Sequence, residues 1–387
     1  MVNTLLILCS RLDLDHHSQS QITKILDSKP DWDQIIKRAR QEGVGPLLFH
    51  HLKKFKSKIP SESFEHLKSL YVKSAAHGIS LLRNIEPFFL NVQGLEIRMA
   101  LIKGARLAVT LYSDPALRPF VDIDLIISSQ HKRKADEILE SIGFLHPSEE
   151  KQASHSGLEE SFWMYRPYFI KDRCLIELHV NFPGLPDILD SSDPIWEKCG
   201  RTAIGKAEAP VLSQEDELCL LCMHVQQHSY SRLIWLTDIV EAASRWAIDW
   251  KRVLHICDRE KIHASVYYAL LTVNTIWPNS ISPHILCRFR LSWIEKQLLK
   301  FLWPQKGLRS RTLSLDFPMH TPTVFALFAR RKVISALKTL LRIYFPPRAW
   351  IKHYYGISEN SFGMIRHYLW RLYRPVFVVS RRILRLY

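Results

Sequence analysis

Residues Leu101 to Ser128 read LIKGARLAVTLYSDPALRPFVDIDLIIS, and this stretch decides the fold class. An apolar, strand-like run ends at Lys103-Gly104, a helical segment follows, and Arg118 leads into a second strand carrying Asp122 and Asp124. Alternate residues of a strand share a face. The two aspartates are therefore expected to point one way, and Val121, Ile123 and Leu125 the other. Two neighbouring carboxylates repel each other, and a cation between them relieves the repulsion. Oxygen-only ligands favour Mg²⁺ or Mn²⁺. The stretch points to metal-dependent phosphoryl or nucleotidyl transfer.

Two neighbours extend the pattern. Lys103-Gly104 stands at a strand end, where a glycine lets the backbone approach a phosphate and a helix N-terminus can donate N–H groups. Downstream, Leu175-Ile176-Glu177-Leu178-His179 alternates as a strand, with Glu177 and His179 on one face. An adjacent position in the sheet would bring Glu177 beside the aspartates, and three carboxylates can hold two Mg²⁺ ions about 3.5–4 Å apart. The same spacing also fits a structural arrangement. In that case the acids pair with Lys103, Arg106 and Arg118, and Asp122 caps the strand end. The residues alone leave both open.

Working outward, residues 1 to about 92 carry helical patterning: Trp32, Ile35, Ile36 and Ala39 recur at helix spacing, Gly43 to Gly45 interrupts, and Leu47, Leu48, His51 and Leu52 resume. From Ile97 to about Gly184, β-like runs (98–102, 121–127, 174–179) alternate with helical ones (105–112, 132–142), as in an α+β or α/β module. Pro183 to Ala209 is rich in Pro, Asp, Ser and Gly and reads as a connecting loop. Ser213 suits a helix N-cap, with Asp216 at the third helical position, and helices are expected from there to about Ile276. We expect four regions: helices at 1–92, an α+β core at 93–210, a helical domain at 211–300, and a basic, aromatic-rich helical region at 301–387.

The chain of 387 residues has an ordinary globular balance, 47% hydrophobic and 24% charged, but a formal net charge of +15. That excess favours polyanionic partners. From Phe325 onward the acid count falls to one, Glu359, amid basic residues such as Arg330, Arg342, Arg366 and Arg381 and many aromatics. Such a segment suits an anionic membrane surface, nucleic acid, or a helical cap with a solvated basic face. Seven scattered cysteines do not form a secreted disulfide framework. Residues 1–10 lack a basic start and are too short for a signal peptide, and no run reaches the roughly 18 apolar residues of a membrane span. The expected place is the cytoplasm, with peripheral attachment to the inner membrane as the alternative. Cys219, Cys222, His224 and His228 invite a zinc assignment, but four ligands on one continuous helix cannot close a tetrahedron. His224 is expected to pack toward the α+β module near an acceptor, and Asp238 to cap a helix or pair with Arg232.

The run Lys103-Gly104-Ala105, Leu111-Tyr112, Arg118-Pro119 and Asp122-Ile123-Asp124-Leu125 resembles a bacterial family of uncharacterised nucleotidyltransferases, often encoded near exopolysaccharide synthesis genes. That family lies within the DNA polymerase β-type nucleotidyltransferase superfamily. The likeness continues through Glu177-Leu178-His179, His224, Arg232-Leu233 and Trp235-Leu236-x-Asp238, and covers about two-thirds of the chain. One departure stands out. The wider superfamily follows its glycine with Gly or Ser, and Ala105 stands here.

The resemblance implies an α+β polymerase β-type core embedded in a mainly helical protein. It implies transfer of a nucleoside monophosphate from an NTP to a hydroxyl on a small molecule, sugar intermediate, protein or RNA, with Mg²⁺ or Mn²⁺. Asp122, Asp124 and Glu177 would ligate the metal, and Glu177 would also help activate the acceptor. Lys103, Gly104 and Arg118 would bind the nucleotide, with His179 and His224 accessory. The alternative is a non-catalytic regulator that keeps the fold and binds a nucleotide or a partner.

Overall fold

The computed structural model describes residues 2–145, 168–171, 174–181, 189–228, 230–293, 295–296, 366 and 368–369. The basic C-terminal region foreseen at 301–387 lies, apart from three residues, outside them.

Five helices open the chain: α1 (Val2–Cys9), α2 (His16–Asp27), α3 (Trp32–Gln41), α4 (Gly45–Leu52) and α5 (Ser61–Val92). Asp15 and Asp31 start α2 and α3 by accepting the backbone N–H groups of Ser18 and Gln34. The second half of α5 buries Leu81, Ile85, Phe88, Phe89 and Val92, a stripe at helical spacing. This stripe packs on a six-stranded mixed sheet. Its strands are β1 (Met99–Ile102), β2 (Ile123–Ile127), β3 (Tyr168–Lys171), β4 (Cys174–His179), β5 (Gly200–Ile204) and β6 (Ala207–Val211). Their order is β3-β4-β2-β1-β6-β5. Helix α6 (Lys103–Thr110) joins β1 to the approach of β2, and α7 (Ser129–Ser141) follows β2. The fold is thus α+β within a largely helical chain, as the resemblance implied.

The two faces of the sheet differ, and that difference positions the site. Leu101, Ile123, Leu125, Ile127, Ile176 and Leu178 join Phe88 and Phe89 of α5 and Leu139 of α7 in one apolar core. Each fully buried large side chain of this kind is worth about 1.5–3 kcal/mol. The residues between them (Ala100, Ile102, Asp124, Ile126, Glu177 and His179) face the other way. There Ala100, Ile102 and Ile126 join a second core made by α1–α4 and the later helices α8 (Gln214–Gln227), α9 (Leu233–Arg245), α10 (Trp250–Glu260) and α11 (His263–Ile276). The N-terminal and post-sheet helices thus share a core. Ser213 caps α8 by accepting the Asp216 N–H, as its position suggested.

Two expectations need correction. Of Pro183 to Ala209, residues 183–188 lie outside the described residues, and the rest is not simply a connecting loop, because β5 and β6 form an antiparallel hairpin that widens the sheet through β6. Its turn is Gly205-Lys206, with Gly205 in the left-handed region at φ +60°, and the Glu86 carboxylate accepts the Lys206 N–H at 2.7 Å. A methyl at Gly205 would sit 2.4 Å from that carboxylate. Gly205→Ala is therefore expected to destabilise the protein by roughly 1–3 kcal/mol, read as a fall in urea midpoint. Second, Val121 is 68% exposed, since the chain enters β2 only at Ile123. Among the described residues, no helix is long and apolar enough to cross a membrane.

Candidate active site

Strands β1 and β4 flank β2, and their registers assemble the acids. Asp124 sits opposite Ile102 across the antiparallel pair and opposite Glu177 across the parallel pair. Asp124 and Glu177 are each only 6% exposed, and His179 only 5%. Asp124 Oδ1 accepts from Lys103 Nζ at 2.8 Å and lies 2.7 Å from His179 Nε2. His179 Nε2 is also 3.5 Å from Glu177 Oε2. Asp124, Glu177 and His179 each offer a ligand atom, and all three lie within 4.8 Å of one another. Glu177 is thus brought beside Asp124, and the third member of this group is His179 where Asp122 was expected.

Electrostatics distinguish the two aspartates. Burial raises the Asp124 carboxyl, but the Lys103 ammonium and the His179 hydrogen bond outweigh it and hold the group well below the usual carboxylate range. Asp122, half-buried just before β2, has no such partner in first place. Burial and then the charges of Asp124 and Glu177 push it up to about 6. This is a site with more negative charge than Lys103 neutralises. Asp122→Asn should therefore stabilise the metal-free protein. Allowing for solvent screening, the gain is about 1 kcal/mol, or roughly 2–4 °C in Tm by thermal melting in EDTA. No gain would mean that the acids do not strain one another.

Lys103 begins α6 in the left-handed region, φ +54°, a conformation that costs a side-chain-bearing residue about 1–2 kcal/mol. Its N–H is held at 2.8 Å by Glu217 Oε1 of α8. Glu217 also pairs with Arg106 at 2.6 Å. A fully buried acid from the later helices thus fixes the residue whose ammonium reaches Asp124. Sequence reading missed Glu217. The acidic first turn of α8 was visible, but nothing in the spacing told which of its three buried acids reaches Lys103.

Other foreseen residues sit differently. Gly104 is bare because Phe120 Cβ and Arg118 Nη1 occupy the space, 2.8 and 2.9 Å from where its own Cβ would lie. Ala105 is buried in the core shared with α5. Arg118 is engaged by Asp238, with Nη2 2.6 Å from Oδ2 and Nε 3.2 Å from both oxygens, while Nη1 donates to the Pro119 carbonyl. Tyr112 donates to the same carboxylate at 2.8 Å. Asp238 therefore pairs with Arg118 from within α9, where it was expected to cap a helix or pair with Arg232. Arg232 donates instead to the Gln41 carbonyl. His224 packs against His228 and Trp235, and burial, then the Lys103 charge, hold its imidazole well below the ordinary histidine range. Cys219 and Cys222 are buried in the helical core together with Cys257.

A mixed sheet whose central strands present clustered carboxylates beside a strand-to-helix turn defines an α+β protein with a buried Asp-Glu-His group. The chain belongs to the uncharacterised nucleotidyltransferase family, whose model matches residues 28–278. It is a nucleotidyltransferase by family, and every site residue named above lies within the match. Among solved structures it is similar to the crystal structure of an antigenic nucleotidyltransferase-like protein from Paracoccidioides brasiliensis. That similarity is loose: 15% identity over 50% of this chain and 93% of that one, with a TM-score of 0.30. Comparison with the curated proteins finds no match.

Proposed function

We propose that the Asp124 face transfers a nucleoside monophosphate from an NTP to a hydroxyl acceptor, with Mg²⁺ or Mn²⁺ as cofactor. The observation that carries this is the register of β2 and β4, which sets Asp124 beside Glu177 with Asp122 adjoining. The donors fit the ion. Carboxylate oxygens suit hard divalent cations, and Asp122 is raised by burial and then by the charges of Asp124 and Glu177. Asp122, Asp124 and Glu177 would hold the ion, with His179 adjoining. When bound, the ion supplies positive charge to the phosphate oxygens.

The remaining steps belong to the chain. The acceptor oxygen attacks the α-phosphorus, the bond from the α-phosphorus to the bridging oxygen breaks, and pyrophosphate leaves with that electron pair. Glu177 takes the hydroxyl proton, and His179 orients the carboxylates. Lys103 adds a cation at Asp124, where electrostatic placement governs rate. The cytoplasm suits this reading because it holds NTPs. Residues 301–387 would carry contact with an anionic membrane or with nucleic acid. The test is pyrophosphate release from ATP, GTP, CTP or UTP in cell lysate, with MgCl₂, MnCl₂ or EDTA. Release only with a cation supports the reading, and no release from any of the four contradicts it.

A further inference from the structure

Where α8 meets α9, two imidazoles, an indole and a guanidinium come together. The His224 and His228 ring centroids are 4.6 Å apart, and each lies 5.0 Å from the Trp235 ring. The Arg232 guanidinium lies over the same indole at 5.5 Å. His228 is exposed, while His224, Arg232 and Trp235 are half-buried. The cluster is therefore neither core nor loose surface.

It is also braced from the N-terminal helices. Arg232 Nε donates to the Gln41 carbonyl at 3.2 Å. The Glu42 carboxylate accepts the Leu233 N–H at 2.9 Å, and the Glu42 carbonyl accepts the Ile234 N–H at 3.1 Å. Among the described residues Arg232 forms no ion pair, whereas the Arg118 guanidinium is committed to Asp238. The cluster shares its helices with the residues that brace the acid site: His224 lies two turns along α8 from Glu217, which holds the Lys103 N–H, and Trp235 lies one turn before Asp238 on α9, which holds Arg118.

We propose that His224, His228, Trp235 and Arg232 form the nucleotide subsite, the rings stacking a nucleobase and Arg232 facing a phosphate. Aromatic planes bind any base through its π-face, and a guanidinium matches phosphate geometry better than an ammonium does. A planar heterocycle joined to phosphates answers all four groups at once. The inference rests on the nucleotidyl-transfer reading.

The test is calorimetric binding of ATP, GTP, CTP and UTP, each with MgCl₂, and of tripolyphosphate, to the full chain. Trp235→Ala and His228→Ala should weaken the preferred NTP about tenfold and leave tripolyphosphate unchanged. Arg232→Gln should weaken both. The exposed His228 keeps the test decisive if Trp235→Ala fails to fold. Ring variants that bind the NTP as the parent does overturn the subsite. Ring variants that lose NTP and tripolyphosphate equally also overturn it, since that is the mark of a structural role. If Trp235→Ala instead raises only the acceptor KM, the cluster holds the acceptor and the proposal fails. In each of those cases the parent still releases pyrophosphate. A parent that neither binds nor cleaves any NTP overturns the transferase reading itself.

Discussion

Replacing Asp124 by Asn is expected to lower pyrophosphate release on the order of 10³-fold while the protein stays folded. Asp124 is the centre of the acid group, placed opposite Glu177 and bonded to both Lys103 and His179. Asn keeps the shape and one oxygen but removes the charge that would hold a cation. Folding survives for an electrostatic reason. Losing one carboxylate leaves Lys103 with the field of Asp122, and it relieves the repulsion that raises Asp122. Steady-state release and a thermal melt of the same sample separate the two effects. Activity within tenfold of the parent would remove Asp124 from the chemistry.

The largest stability effect should come from Asp238→Ala. Asp238 is completely buried and receives the Arg118 guanidinium and the Tyr112 hydroxyl together. Removing the acid strands a buried cation without its partner, which costs about 3–5 kcal/mol and shows as a large fall in the urea midpoint. The substitution also unties the approach to β2 from α9. Asp238→Asn keeps the hydrogen-bonding oxygen and should cost less. A loss below about 1 kcal/mol for Asp238→Ala would mean that solvent or another acid satisfies Arg118.

The acid face was legible because strand alternation is a local property. Ile123, Asp124 and Leu125 divide between the two faces of β2 as period two requires, and on β4 Glu177 and His179 share one face while Ile176 and Leu178 take the other. Val121 broke the pattern because the strand had not yet begun there. The β5–β6 hairpin escaped notice because β5 is an edge strand, mostly exposed and without an apolar run. Its one clear signal was Gly205-Lys206, a two-residue turn with glycine first.

Charge pairing was the least legible feature. Arg118 meets Asp238 across 120 positions, and the Lys103 N–H meets Glu217 across 114. Nearness in sequence favoured Arg232 as the partner of Asp238. Arg232 instead precedes α9 and reaches back to Gln41. Gly104 shows the same limit, since its bareness serves the close packing of Phe120 and Arg118.

The central claim is that the face formed by Asp122, Asp124 and Glu177 moves a nucleoside monophosphate. The most direct measurement incubates the full chain, MgCl₂ and cell lysate with one NTP labelled on either the α- or the γ-phosphate, then follows the label. The account predicts that α-label joins an acceptor and γ-label leaves in pyrophosphate, with both lost in Asp124→Asn. Transfer of γ-label to the acceptor, or α-label transfer undiminished in Asp124→Asn, would contradict it.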